Sequence, residues 1–454
     1  MIAIMKNDTT FVYPSDSDRF YSTAVDYTWI ALGKYLIQPP LQGLAQMNFA
    51  KKSSSGIIGL KVGHPTTDTF LFSPQFKKYN NNIDYVPIKK INFKNEFLDI
   101  EADLERKKIR LVDCEDKCFI YKQKFLWDNQ NHAIEDANRE SDIKYGMCKQ
   151  YGGYSEFIMS FEHCYLISCS DISGYDKSWV GIDVYDLRVR GLSMATSGAF
   201  GARNKLVDHV VYYTCNPVRL WVDGSVLSQD HSNSSGQNNT ASDNCILHDI
   251  IKNDLVLTCF YEQYGRYPYD YREFKNSYVC GLYSDDKVLG LNFPMEIDRF
   301  KTIETAVYKK YGMVIKETAS HIIVHTPGER FAEDDKIEFL GGTAVWHDRA
   351  DGYLPRPRVG KLMTSLTRRL NDDPQLSIVE QYNKVYSIYE LLLCVEPEIK
   401  NAVCRYLLFL LELYSNELSI AFGCRDKRVR SDHLYKMLKD DLANADTILG
   451  WERK

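Results

Sequence analysis

The sequence has little that would place it in a membrane, outside the cell or in a metal-stapled fold. None of its twelve cysteines lies in a C-x2-C pair. The closest pairs, Cys114/Cys118 and Cys164/Cys169, have only His163 beside them, which excludes a zinc ribbon and predicts reduced, buried thiols. No signal-like leader is present: the apolar run in "MIAIMKNDTTFVYPSD" is too short, so a soluble, intracellular chain is expected. The sequons beginning at Asn233 and Asn238 are then not expected to be modified. The most lipid-like run, "YLLFLLELYSNELSIAF", is broken by Glu412 and Glu417 and cannot be a spanning helix. A strong charge of one sign is missing too. The net −5 does not suggest a blanket polyanion binder and leaves room for a local basic channel, so net charge alone decides nothing. Internal repeats and long Pro, Gly or Ser tracts are absent. What is present is 44% hydrophobic residues over 454 positions, enough for a sizeable core in one large domain or a few subdomains.

The first ~150 residues mix short strand-like runs with lysine-rich connections such as "FKKYNNNIDYVPIKKINFKNEF", which predicts irregular α+β structure. "YLISCSDISGYD" reads as a strand ending in a carboxylate-bearing turn. A polar stretch over 228–244 precedes "CILHDIIKNDLVLTCFYEQYG", whose apolar spacing predicts a helix. A strand, turn and strand come next around Asp285, then a helix over 303–311. In the last ~90 residues, "IVEQYNKVYSIYELLLCVEP" and "IKNAVCRYLLFLLELYSNEL" read as helices.

The stretch "YSDD" at 283–286 sets Asp285 and Asp286 side by side at a hairpin tip. Solvation and local hydrogen bonding account for adjacent aspartates in many turns. Upstream, however, "SDISGYDKSW" offers Asp171 and Asp176 at another strand end. If the two strand ends share a sheet, Asp171 and Asp285 converge, and hard cations such as Mg2+ relieve their repulsion. Two such ions activate an attacking oxygen and stabilise a leaving one in phosphoryl transfer. Between these segments, "HSNSSGQNNTASDN" is either a helix-capping loop or a sugar-facing surface. In the second reading Ser235 and Gly236, with Thr240 and Asn244 at four-residue steps, present hydroxyl and amide groups along one face.

In this order, separated by about sixty and about fifty residues, "DISGYD", "SGQNNTASDN" and "YSDD" resemble motifs A, B and C of viral RNA-dependent RNA polymerases. "ERKKIRLVDCED" is similar to motif F, with Arg106, Lys107, Lys108 and Arg110 facing the incoming triphosphate; a solvated basic strand is the alternative. "FLWDNQN" and "KQYGGYSEF" resemble segments of astrovirus-like and sobemovirus-like polymerases of positive-strand RNA viruses. "YKKYGMVIKE" looks like motif D, with Lys316 at the position of the general acid for pyrophosphate. "FLGGTAVW", containing Leu340 and Gly341, looks like the motif E primer grip, and "LPRPRVGKLMTSL" resembles the segment C-terminal to that grip in the same viruses. Gly63 and Pro65 in "KVGHPTT" match motif G or form an ordinary turn. The resemblance covers roughly residues 60–370. Its main departure is Ser284, where most of these enzymes carry glycine and nidovirus polymerases carry serine.

The resemblance implies an α+β right hand: fingers over 1–160, palm over 161–190, a fingers insertion over 191–230, palm over 231–350 and a helical thumb over 351–454. The palm would carry an antiparallel sheet with helices in an RRM-like core. It implies template-directed RNA synthesis from ribonucleoside triphosphates, with Asp171, Asp285 and Asp286 on two Mg2+ ions, for which Mn2+ substitutes. Asp176, Ser235, Thr240 and Asn244 would read the ribose 2′-hydroxyl. Lys316 would protonate the leaving group. Gly63, Pro65, Leu340, Gly341, Arg356, Arg358 and Lys361, with Arg368 and Arg369, would contact RNA, largely through phosphates. The basic cluster at 425–430 either does the same or keeps a helix end soluble. Expected partners are template and product RNA and viral replication proteins. The last would supply membrane attachment in the host cytoplasm, since no anchor is encoded. A reverse transcriptase would lack the ribose-reading set, and an unrelated Mg2+ phosphohydrolase would leave the fingers and thumb segments unexplained. A silent RNA-binding scaffold would have no reason to keep every acidic position.

Overall fold

The computed structural model describes residues 18–49, 53–93, 111–149, 152–173, 175–178, 181–201, 203–221, 223–228, 233, 236–332, 334–348 and 351–359, with scattered helical positions between 381 and 410. The architecture is mixed helix and sheet, as the sequence predicts, in two compact units. The first unit is Met1–Gly146, Ser170–Lys287 and Met295–His321; the second is Met147–Cys169, Val288–Pro294 and Ile322–Lys454.

The long helices of the first unit are α1 (Arg19–Leu36), α2 (Lys117–Asp136), α3 (Ile182–Ala195), α4 (Lys205–Cys215), α5 (Thr240–Tyr264) and α6 (Ile297–Lys310). The sequence supplies caps at their starts. Asp18 caps α1 by accepting from the Phe20 and Tyr21 amides, and Asp116 caps α2 through the Cys118 amide. The first third of the chain is more helical than the strand-like runs suggest: "FLWDNQN" lies inside α2, where burial of Leu126 and Trp127 overrides local propensity. Helix α6 starts at Ile297 rather than at 303, because Glu296 is already extended and frees the chain to turn.

Helix α5 is the hub, packed against α1 and α6. Every residue from 242 to 257 is buried, including Asp243, His248, Lys252 and Asp254. A helix buried on all sides must pair each of its polar groups. Arg188 meets Asp243, Asp142 and Asp249 meet Lys252, Thr28 meets Asn253, and Lys310 with Tyr311 meets Asp254. It stops at Gly265, whose φ of 67° is the left-handed cap that glycine adopts without strain.

One sheet of this unit runs in the order β2 (Leu111–Cys114), β1 (Ile88–Phe93), β5 (Val218–Leu220), β6 (Val226–Ser228). Strand β1 is antiparallel to β2 and parallel to β5. A short antiparallel pair joins β4 (Ile172–Ser173) to β9 (Val314–Ile315).

In another sheet, β10 (His321–Val324), β3 (Leu166–Ser170) and β8 (Asp286–Leu291) are neighbours in that order. Strand β8 is the returning arm of the hairpin that β7 (Tyr278–Tyr283) begins. A second hairpin pairs β11 (Gly342–His347) with β12 (Gly352–Pro357). Arg356 thus lies on a strand, opposite Thr343, and not at the start of a helical region. The described positions of the two C-terminal segments are helical, as expected from their periodicity. Among the described cysteines all nine are free thiols, although Cys148 is exposed rather than buried. No described helix is long and apolar enough to cross a membrane.

Candidate active site

Strand β3 is buried at all five positions, and Asp171 is the first residue beyond it. The Tyr165 amide donates to the Leu291 carbonyl at 2.8 Å, pairing the start of β3 with the end of β8. This is antiparallel register, so six residues forward on β3 and six back on β8 set Asp171 across from Asp285. The convergence comes from alternation and register rather than from any local signal.

Strand pairing also delivers a cation. Because Ile172 pairs with Ile315, the next residue, Lys316, lies beside Asp171. Its amide donates to the Asp171 carbonyl at 2.9 Å and its Nζ stands 2.8 Å from Asp171 Oδ1. Both side chains are more than one-third exposed, so the pair adds little stability. Among the described residues no three His, Cys, Asp or Glu side chains are gathered closely enough to hold a metal by themselves. Asp171 and Asp285, at the ends of neighbouring strands, nevertheless offer hard carboxylate oxygens. Mg2+ characteristically takes one or two of these from a protein and fills its octahedron with water and phosphate oxygens, so the donor set fits that ion.

Asp176 does not sit in an open turn but in the helical turn Tyr175–Ser178. Asn244, in the first turns of α5, donates from Nδ2 to Asp176 Oδ1 and to Ser284 Oγ, both at 2.9 Å. One amide therefore ties the segment after β3 to the hairpin tip that carries Asp285. The same bond explains serine at 284. Its φ of 56° is in the left-handed region that favours glycine, and the hydroxyl compensates by accepting from Asn244. Thr240 opens α5 and uses its hydroxyl on the Gln237 carbonyl, 3.1 Å away. Gly236 lies so close to β2 that a Cβ would stand 1.6 Å from the Asp113 carbonyl oxygen, which admits no side chain there.

Beneath the hairpin tip, His248 joins the Ser284 carbonyl through Nδ1 at 2.8 Å and the Tyr308 hydroxyl through Nε2 at 2.7 Å. A carbonyl only accepts, so Nδ1 carries the proton and Nε2 accepts from tyrosine. Burial, and then the nearby Lys287 ammonium, pushes His248 down to about 3. Burial by itself would lower Lys287 as well, but Glu304 outweighs it and holds the ammonium above its ordinary range; Ser170 donates to the same carboxylate at 2.8 Å. The consequence for stability has a definite sign. Below an unfolded-state pKa of about 6.5 the unfolded chain binds a proton that native His248 refuses, so stability falls with pH between there and about 3. At pH 5 the cost is about 2 kcal/mol. Urea denaturation at pH 7.5 and pH 5.0 checks it: His248→Asn, which keeps a donor for the Ser284 carbonyl, should lose that part of the pH dependence.

Other expected site residues have different fates. Arg106, Lys107, Lys108, Arg110, Ser235, Lys361, Arg368, Arg369 and the cluster at 425–430 lie outside the described residues. Gly63 ends the helix Gly56–Lys61 in a left-handed conformation at φ 85°, and the Pro65 carbonyl accepts from the Ser55 amide, so both have structural roles in a turn. Leu340 and Gly341, both at positive φ, form a two-residue turn closed by mutual bonds between Phe339 and Gly342. Lys149 donates to the Leu340 carbonyl. Arg358 is ion-paired with Glu338. Sequence reasoning missed Asn233, whose side chain is buried and bonded to Asn244. It also missed His248 and Arg188. For His248 the available signal was a run of Asp, Asn, His and Lys inside an otherwise apolar 25-residue helix.

No curated protein sequence matches the chain. The family model for viral RNA-dependent RNA polymerases matches residues 66–366, well over half of its length and including the strands, turns and helices that carry Asp171, Asp176, Asn244, Asp285 and Lys316. The chain therefore belongs to the viral RNA-dependent RNA polymerase family and is an RNA-directed RNA polymerase, a nucleotidyltransferase that copies an RNA template from nucleoside triphosphates.

Proposed function

We propose that Asp171 and Asp285, assisted by Asp286, hold two Mg2+ ions, with Mn2+ able to substitute, and that Asp176 and Asn244 select ribonucleotides. The observation that carries this reading is the Asn244 amide, which bridges the Asp176 carboxylate and Ser284 next to Asp285. Bound there, the ions would acidify the attacking 3′-hydroxyl and neutralise the departing pyrophosphate. The protein's own groups bind and orient. Asp176, Asn244, Thr240 and Ser235 meet the ribose, whose 2′-hydroxyl both donates and accepts. Lys316, whose Nζ lies beside Asp171, would donate a proton to the leaving oxygen.

In the same reading 1–160 and 191–230 are fingers, 161–190 and 231–350 palm, and 351–454 thumb. Arg106, Lys107, Lys108 and Arg110 hold the triphosphate. Gly63, Pro65, Leu340, Gly341, Arg356, Arg358 and Lys361 lie along the RNA. The "FLWDNQN" and "KQYGGYSEF" segments favour a positive-strand virus of astrovirus-like or sobemovirus-like kind, from which Ser284 departs, replicating in the host cytoplasm with partner proteins on membranes. Single-nucleotide incorporation on a short primed RNA template tests the sugar assignment. Wild type should prefer the ribonucleotide, and Asp176→Asn should reduce that preference about tenfold, the worth of one charge-assisted hydrogen bond. An unchanged preference refutes the assignment.

A further inference from the structure

The Asn244 amide is held by a chain of side chains that starts on the sheet containing β1 and β2. Lys89 on β1 and Glu115 just past β2 form a buried ion pair, Nζ to Oε1 at 3.3 Å, with Lys89 only 1% exposed. Lys89 Nζ also reaches Gln237 Oε1 at 3.4 Å. Gln237 Nε2 donates to Asn233 Oδ1, and Asn233 Nδ2 donates to Asn244 Oδ1 at 2.6 Å. Asn244 Nδ2 then donates to Asp176 Oδ1 and Ser284 Oγ. Gln237, Asn233 and Asn244 are all buried.

The direction of this chain is set at its ends. An ammonium only donates, and an ionised carboxylate only accepts. With Lys89 at one end, Gln237 must turn its oxygen toward β1 and its nitrogen toward Asn233. Asn233 must then offer nitrogen to Asn244, which leaves the Asn244 nitrogen for Asp176. Each amide has two orientations of nearly equal shape, and the lysine at one end, the Thr240 carbonyl that accepts from Asn233 Nδ2 at 3.2 Å, and the Asp176 carboxylate at the other end together remove the choice.

The geometry points to Lys89, Gln237 and Asn233 as positioning residues for sugar selection: a buried lysine outside the nucleotide site fixes which way the Asn244 amide faces. This inference rests on the reading that Asp176 and Asn244 meet the ribose. Lys89→Met by itself would leave Glu115 buried and uncompensated, so Gln237 is the better place to cut. Gln237→Leu removes the link. Gln237→Glu reverses it, because the new carboxylate accepts from Lys89 but cannot donate to Asn233. Asn233 is then drawn to turn its nitrogen back to the new carboxylate against its bond to the Thr240 carbonyl, which loosens its hold on Asn244 Oδ1 and frees the Asn244 amide to turn its oxygen toward Asp176.

The experiment measures kcat/KM for a ribonucleotide and its 2′-deoxy analogue on a primed RNA template. It uses the full chain as wild type, Gln237→Leu, Gln237→Glu, the double variant Lys89→Met/Glu115→Gln, and Asp176→Asn. Both Gln237 variants and the double variant should lower the ribose preference about tenfold, mainly through KM for the ribonucleotide, with the reversing variant affected most. A uniform loss of rate for both nucleotides with the preference intact would mark these residues as structural and overturn the inference. If Asp176→Asn lowers the preference and no Gln237 variant does, the relay fails while the sugar reading stands. If Asp176→Asn leaves it unchanged, the sugar reading fails and the relay with it.

Discussion

Asp285→Ala should abolish templated ribonucleotide incorporation, by about a thousandfold or more, while leaving the melting temperature essentially where it is. The two halves of this expectation have separate causes. Asp285 is exposed at the tip of the β7–β8 hairpin, where substitutions usually move stability by no more than about 0.5 kcal/mol. Truncation also relieves its repulsion with Asp286. The chemistry, by contrast, loses the carboxylate that faces Asp171 across the sheet. A thousandfold loss corresponds to about 4 kcal/mol of transition-state stabilisation, within what a positioned cation supplies. Primer extension and thermal unfolding on the same preparations decide it: extension by a folded Asp285→Ala protein at a tenth of the wild-type rate would remove Asp285 from the metal site.

The largest effect on stability is expected at Arg188, outside every polymerase motif in the sequence. Its guanidinium is fully buried and meets Asp243 Oδ1 at 2.6 Å, Gln130 Oε1 at 3.1 Å, Asn131 Oδ1 at 3.0 Å and Ser242 Oγ at 2.8 Å. It thereby satisfies the first turn of α5 from α3 and α2 at once. Arg188→Met leaves the Asp243 carboxylate buried without its counter-charge, with the Tyr185 hydroxyl still donating to it at 2.7 Å. Removing one member of a buried pair in this way costs about 3–5 kcal/mol, a large share of a typical domain's stability. Burial already pushes the Asp243 carboxyl above its ordinary value even with Arg188 beside it, so in the variant it should fold protonated. Urea denaturation should show the midpoint falling sharply in Arg188→Met and partly recovering in Arg188→Met/Asp243→Asn. Equal midpoints for wild type and the single variant would show that the network is energetically idle. Because Asn244 is the residue directly after Asp243, the single variant should also lose ribonucleotide preference.

The chemistry of the candidate site was legible in the sequence wherever it depended on residue type and order. Asp171, Asp176, Asn244 and Asp285 stand out as candidates because phosphoryl transfer needs oxygen donors at strand ends, and strand ends carry turn residues. The helix holding Asn244 was legible from its apolar period. What periodicity does not reveal is which polar residues on such a helix are buried. Nothing in the apolar period of α5 marks His248, Asp243 and Lys252 as buried, yet all three are. Lys89 and Gln237 were illegible for the same reason: nothing local distinguishes a buried lysine from an exposed one, and their contact spans 148 residues. The extent of the N-terminal helices is likewise hidden where packing overrides propensity.

The sequence by itself determined the class of reaction and the order of the segments that bear the proposed carboxylates, since these are properties of covalent chemistry and short-range patterning. Tertiary structure decided the rest. Antiparallel register set Asp171 opposite Asp285, the β4–β9 pair brought Lys316 to Asp171, and a buried ammonium on β1 oriented an amide on α5. Each of these is a contact between distant segments. Its strength comes from the low dielectric and the unsatisfied hydrogen bonds of a closed interior, conditions that exist only after the chain has folded.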